Sequence, residues 1–167
     1  MRLSDKTRSI ARGGILLALA CALSALEYAI ALPLPNGVKP GLANVIIMFA
    51  LFHINIKTAL TLNMLKSCFV FLTRGFTAFA MSLCGGMLSL LVIILIFKLI
   101  KSPTLLLMSV FGAIFHNAGQ LCLASVLLKS NAVFYYAPVL TVAGVLTGIL
   151  TGLLLRAAEP ALSKISR

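Results

Sequence analysis

Charged and amide side chains interrupt the apolar stretches of this sequence, where groups of these types usually serve a ligand or an ionic partner. Lys39 and Asn44 flank the start of one apolar stretch, in NGVKPGLANVIIMFALF (residues 36–52). Glu27 and Lys66 lie inside two other stretches, and Arg74 closes the second of them. A charge inside a lipid-embedded segment is costly and usually faces a cavity or an opposite charge. The pattern therefore predicts a polar site enclosed by apolar segments.

Amide and imidazole groups recur at helical spacing in two further places. Asn63 lies one turn before Lys66, and the run HNAGQ brings His116, Asn117 and Gln120 together. Residues three or four positions apart share one face of a helix. We expect both groups to face the same polar site, on the outer side of the membrane or at its middle.

The charges in this set predict the kind of ligand. Three cations, Lys39, Lys66 and Arg74, stand against the single carboxylate of Glu27. The helix that begins near Asn44 adds backbone N–H groups at its amino terminus, which favour an anion. The site is therefore predicted to bind a small solute that is anionic or carries carbonyl oxygens, and to open to the outside.

Structural roles are the alternatives for the same residues. Glu27 and Lys66 would neutralise each other as a purely structural pair. Lys39 and Arg74 would extend to the lipid headgroups, as long cationic side chains do at membrane interfaces. His116 would be a hydrogen-bonded core residue.

Catalytic motifs are missing from the sequence. Its three acids, Asp5, Glu27 and Glu159, form no cluster that would hold Mg²⁺ with a diphosphate. There is no glycine-rich phosphate loop and no metal signature, and the four cysteines occur singly in apolar stretches. We expect no enzyme activity, no metal and no cofactor in this chain.

The composition is that of an integral membrane protein. Of the 167 residues, 61% are hydrophobic and only 10% are charged, whereas about a quarter of a soluble domain is charged. The Lys and Arg residues behind the net charge of +11 cluster at the ends of the apolar segments. This placement is typical of cationic residues that set membrane topology. No basic soluble domain is available to bind nucleic acid, so we expect no such partner.

Apolar segments separated by prolines, glycines and charges predict one all-α domain, residues 1–167, with six transmembrane helices. A spanning helix needs about 20 mostly apolar residues. The second segment is shorter, which leaves room for a pocket. The predicted helices cover approximately residues 14–32, 42–54, 57–72, 76–98, 104–128 and 134–155.

The distribution of Lys and Arg predicts the orientation. With the amino terminus inside, ten of the 14 cationic residues fall on the inner side and three on the outer side. Such an excess marks the cytoplasmic face. Both termini are then cytoplasmic, in a multi-pass protein of the cytoplasmic membrane.

Small residues recur every fourth position in two segments. Ala18 and Ala22 do so in the first segment, and Gly144, Gly148 and Gly152 in the last. Such spacing lets helices approach closely in lipid. We call these two series small-residue ladders. They serve either packing within the bundle or docking of another membrane subunit.

Several stretches resemble one family of small membrane proteins. They are GVKPGLANVI, SLCGGMLSLLVI, GAIFHNAGQL and GVLTGILTG, together with the charge at Lys66. They resemble the Gx transporter family, also called heptaprenyl diphosphate synthase component I, over approximately residues 14–156. That family is in turn similar to the substrate-binding S components of energy-coupling factor (ECF) transporters.

The second resemblance implies a six-helix protein that binds a small solute near its outer side. It implies docking through Ala18 and Ala22 on a transmembrane coupling subunit, driven by cytoplasmic ATPase subunits that handle the ATP. The alternative is a non-catalytic accessory protein in prenyl diphosphate or quinone metabolism or in flavin-linked extracellular electron transfer. A purely structural scaffold, with a dry centre, is a third possibility.

Overall fold

The computed structural model describes residues 5–29 and 41–166, and within these ranges the chain is helical without any strand. The all-helical prediction is thus confirmed for the described residues. The elements are α1 (Asp5–Ala29), α2 (Leu42–His53), α3 (Ile56–Leu99), α4 (Leu105–Leu128), the 3-10 helix η1 (Asn131–Tyr136) and α5 (Ala137–Ser166).

Helix α3 folds back on itself at Gly75. This residue has φ 83° and ψ −179°, a conformation open essentially only to glycine. Ser67 Oγ and Ser82 Oγ lie 3.1 Å apart, although fifteen residues of continuous helix would separate them by about 22 Å. The predicted helices 57–72 and 76–98 therefore correspond to two antiparallel arms, 56–74 and 76–99.

The first and last helices differ from the prediction at their ends. α1 begins at Asp5, so the polar segment before the predicted start at residue 14 is helical as well. The predicted start of the last helix, residue 134, falls in η1, and α5 continues past residue 155 through Pro160. Packing stabilises the part of α5 beyond residue 155, because Leu162 is buried in the apolar core.

Long apolar helices make this a multi-pass membrane protein. Among the described residues, four stretches are long and apolar enough to cross a membrane, and α2 is a shorter apolar helix. One of the four is α3, counted with both of its arms. Large apolar side chains cover the outside, with Leu72 81% and Leu99 74% exposed, as expected where lipid is the solvent. Six passes and cytoplasmic termini stay a prediction.

Helix α2 forms the centre of the bundle. Eight of its twelve residues are buried, and it packs against α1, α3 and α5. A helix that is covered on all sides is apolar all round, which explains why α2 has no polar face beyond Asn44. Because it is enclosed by protein, α2 need not be long enough to span the membrane.

The two small-residue ladders have different surroundings. A Cβ atom at Gly148 would lie 2.5 Å from Val110 Cα, and one at Gly144 would lie 3.0 Å from Ile114 Cα. The glycine ladder therefore packs α5 against α4 within the bundle. Ala18 and Ala22, in contrast, are exposed on α1.

Contacts between helix ends define the two ends of the bundle. Arg74, beside the Gly75 turn, contacts Ser24 near the end of α1. At the opposite end, His53 Nε2 lies 2.8 Å from Glu159 Oε1, which joins the end of α2 to α5. We call the first the turn end and the second the terminal end. Under the predicted orientation the turn end faces outward.

Candidate functional site

A polar cavity of about 70 Å³ lies between the helices, on the side of α2 that faces α3 and α4. All five α-helices contribute to its lining. Every predicted site residue that the structure describes lines it: Glu27, Asn44, Asn63, Lys66, Arg74, His116, Asn117 and Gln120. Lys39 lies outside the described residues. The structure thus brings the set together, and its role in binding a solute stays a prediction.

Glu27 caps the amino terminus of α2. Its Oε1 accepts a hydrogen bond from the backbone N–H of Leu42, the first residue of α2. Gly41, at the N-cap position, provides no side-chain cap. A carboxylate at a helix amino terminus is stabilised by the free N–H groups and the helix dipole. One N–H that was predicted to attract an anionic solute is therefore used by the chain's own carboxylate.

Lys66 is a buried cation in the middle of the first arm of α3. Its side chain is 4% exposed, and Nζ donates a hydrogen bond of 2.9 Å to Oδ1 of Asn44 on α2. The pair fixes the position of α2 against α3. The ammonium group of Lys66 also lines the cavity, beside Asn63.

Arg74 folds over α1 near the turn end. Its Nη2 donates to the backbone oxygen of Ser24, and its guanidinium lies 4.6 Å from the centre of the Tyr28 ring. Its Nε is buried without a hydrogen-bond partner. Arg74 therefore contacts groups of the protein itself, which argues against the alternative that its side chain only extends to the lipid headgroups.

Asn63 is the most unusual polar group in the cavity. The residue is fully buried, and neither its Nδ2 nor its Oδ1 has a hydrogen-bond partner. It packs over Gly86 of the opposite arm, where a Cβ would overlap the amide. An unpaired buried donor or acceptor costs about 1–3 kcal/mol. Such a group in a cavity indicates that a ligand or water completes its hydrogen bonds.

Helix α4 contributes three predicted residues in two arrangements. Gln120 Nε2 lies 3.1 Å from His116 Nε2, one turn away on the same face. Asn117 Nδ2 donates a 2.9 Å hydrogen bond to the backbone oxygen of Leu140. Asn117 thus joins α4 to α5, a structural task that the sequence did not indicate.

Hydroxyl groups complete the lining, and the sequence analysis missed them. Ser109 Oγ donates to the backbone oxygen of Leu105, one turn earlier, so its oxygen keeps acceptor capacity. Ser109 shares a face of α4 with His116 and Gln120, a spacing that could have revealed it. The serines and threonines of the cavity lining are Ser24, Ser82, Ser89, Ser109, Thr147 and Thr151.

The arrangement can bind an anion but shows no acid pair for catalysis. Lys66 and Arg74 outnumber Glu27 among the charged residues of the lining. Glu159 lies at the terminal end with His53. Within residues 5–29 and 41–166, no three His, Cys, Asp or Glu side chains are grouped as a metal site would require.

Comparison with known proteins gives one match. The model of a family described as heptaprenyl diphosphate synthase component I matches residues 16–158. No curated protein and no solved structure matches the chain. The similarity to S components stays a prediction.

Proposed function

Because the chain belongs to the heptaprenyl diphosphate synthase component I family, and because its helices enclose a cationic cavity, we propose that it is a solute-binding membrane subunit. The solute is small and is anionic or carries carbonyl oxygens. The protein itself performs no catalytic step, and any associated reaction belongs to partner chains.

The unpartnered amide of Asn63 supports this proposal most directly. It lies one helical turn from Lys66, and both side chains line the same cavity. A carboxylate or phosphate oxygen would accept from Asn63 Nδ2 and from the ammonium group of Lys66. Hydrogen bonds to charged groups contribute about 1.5–3 kcal/mol, so an anion offsets part of the cost of burying both groups.

The predicted resemblance to S components extends the proposal to uptake. In that case, the chain makes six passes, with each arm of α3 crossing separately and both termini in the cytoplasm. The solute enters at the turn end, and the exposed alanine face of α1 docks on a transmembrane coupling subunit. ATPase subunits in the cytoplasm then drive transport, and this chain needs no cofactor.

The positions of the acids support a non-catalytic role. Glu27 is engaged with the amino terminus of α2, and Glu159 pairs with His53 at the other end of the bundle. Asp5 lies at the opposite end of α1 from Glu27. Among the described residues that line the cavity, Glu27 is the only acid.

The family description favours one alternative function. It names a component of a heptaprenyl diphosphate synthase, so the chain would be a non-catalytic accessory in prenyl diphosphate or quinone metabolism. Affinity purification distinguishes the two proposals. A complex with ATPase subunits supports uptake, whereas a complex with a prenyl-transferring or quinone-dependent enzyme supports the accessory role.

The amide of Asn63 provides a test in which stability and binding change in opposite directions. We expect Asn63→Leu to raise the Tm, because an apolar side chain of similar size replaces an unpaired buried amide. Binding of inorganic phosphate or acetate, measured by calorimetry in phosphatidylcholine nanodiscs, should weaken at least fivefold. Asn131→Leu, in the exposed η1, should change neither quantity. Unchanged anion affinity in Asn63→Leu would remove Asn63 from the site.

The alanine face of α1 gives a second test. Ala22 is exposed in the isolated chain, and a tryptophan there would separate α1 from a partner helix. We expect Ala22→Trp to reduce recovery of a coupling subunit in affinity purification at least tenfold without lowering the Tm. Leu146→Trp, at a position of α5 that is 64% exposed, serves as the control. Equal recovery of the subunit with Ala22→Trp and wild type argues against this docking face.

A further inference from the structure

A second pocket lies beside the polar cavity, between α4, η1 and the start of α5. It has a volume of about 300 Å³, is partly open to the outside and is lined mainly by apolar and aromatic side chains. We call it the lateral pocket, and its lining includes Met81, Leu121, Ala124, Val133, Tyr136 and Leu140. Its position after the end of α4 places it near the turn end of the bundle.

Gln120 separates the two spaces. It is the residue that lines both the polar cavity and the lateral pocket. Its side chain is 9% exposed, and its Nε2 lies 3.1 Å from His116 Nε2 on the same helix. Gln120 therefore lies between the two spaces, and its side chain is held in place by a local hydrogen bond.

The volumes and chemistry of the two spaces are complementary. The polar cavity is small, at about 70 Å³, and its charged and amide groups suit a phosphate or carboxylate group. Sites for complete small molecules measure about 300–1,000 Å³ and are mostly apolar, with a few polar groups that fix orientation. The lateral pocket supplies apolar volume on the other side of Gln120.

We propose that the solute is amphipathic, with an anionic head in the polar cavity and an apolar group in the lateral pocket. This inference rests on the proposed function and defines the class of its ligand. The head lies near Lys66 and Asn63, and the apolar group passes Gln120 to contact Leu121 and Tyr136. A purely polar solute would leave the lateral pocket unused.

The test uses two series of short amphipathic anions. Methyl to butyl phosphate and acetate to pentanoate are titrated against the protein in phosphatidylcholine nanodiscs, with inorganic phosphate as the reference. Full burial of one methylene contributes about 0.8 kcal/mol, which is about fourfold in affinity at 25 °C. We expect each added methylene to raise affinity two- to fourfold in at least one series.

Filling the lateral pocket should remove this gain selectively. We expect Ala124→Phe to flatten the dependence on chain length and to leave the affinity for the shortest anion within twofold. Ala124→Leu, which adds less volume, should give an intermediate slope. Val126→Phe adds the same ring at a position of α4 that is 71% exposed and should behave as wild type.

The outcomes separate this inference from the proposed function. Tight binding of the shortest anions without any gain from longer chains overturns the inference and leaves the anion site intact. A gain that persists in Ala124→Phe also overturns it, because the chain then lies elsewhere or in lipid. If no phosphate or carboxylate binds, the proposed function fails together with the inference.

Discussion

A Lys66→Met variant is expected to bind inorganic phosphate or acetate about 10- to 150-fold more weakly than the wild-type protein. The reason is the loss of a hydrogen bond from a buried ammonium group to an anion, which contributes about 1.5–3 kcal/mol. Lys66 is 4% exposed and lines the cavity beside Asn63, so water cannot easily replace it. Calorimetry in nanodiscs measures the change.

The fold should survive this substitution. Met is close to Lys in length and fills the same space, but Asn44 Oδ1 loses its 2.9 Å hydrogen bond, and an unpaired buried acceptor costs about 1–3 kcal/mol. We therefore expect Lys66→Met to fold, with a Tm several degrees lower than that of wild type. Lys66→Arg keeps the charge and should recover at least tenfold of the lost affinity. Anion binding that is equal in Lys66→Met and wild type would show that the cavity is not the binding site.

The second large effect is expected at the contact between α4 and α5. Gly148→Ala would place a Cβ 2.5 Å from Val110 Cα, and a backbone atom cannot move aside as a side-chain end can. Overpacking typically costs about 1–3 kcal/mol. We expect a Tm lower by several degrees in detergent, together with weaker anion binding, because both helices line the cavity.

Gly14→Ala is the matched control for this substitution. Gly14 is also helical, and a Cβ there would have no atom within 4 Å. Removing a helical glycine stabilises by about 0.5–1 kcal/mol, so the Tm should stay equal or rise. Similar Tm values for Gly148→Ala and Gly14→Ala would mean that α4 and α5 are not in close contact.

Charges and amides are rare in apolar segments, so the sequence could single out the residues that line the cavity, while their role in binding stays a prediction. Glu27, Lys66 and Gln120 lie on different helices. The predicted helix lengths placed all three at a similar depth in the membrane, and this was the reason to expect them in one site. The structure places them around one cavity. A polar residue inside an apolar segment can be recognised from its neighbours in the sequence alone, because its burial in lipid is costly wherever the fold places it.

The partners of these groups could not be predicted in the same way. Asn117 was expected to contact a solute, but its amide donates to Leu140 on α5. Ser109 gave only a weak signal, its helical spacing to His116 and Gln120, because a helical hydroxyl can donate to the preceding turn at little cost and so occurs in many apolar helices. The extension of α5 depends on Leu162, whose burial requires contacts with distant residues.

The central position of α2 also has a consequence for biosynthesis. Its apolar surface is fully covered only when α5, which is synthesised more than 80 residues later, packs against it and adds Leu155 to the core. Until α5 has been translated, the second helix must therefore be sheltered by the insertion machinery or by lipid. A nascent chain released before α5 would expose that helix to the proteases that remove incomplete membrane proteins.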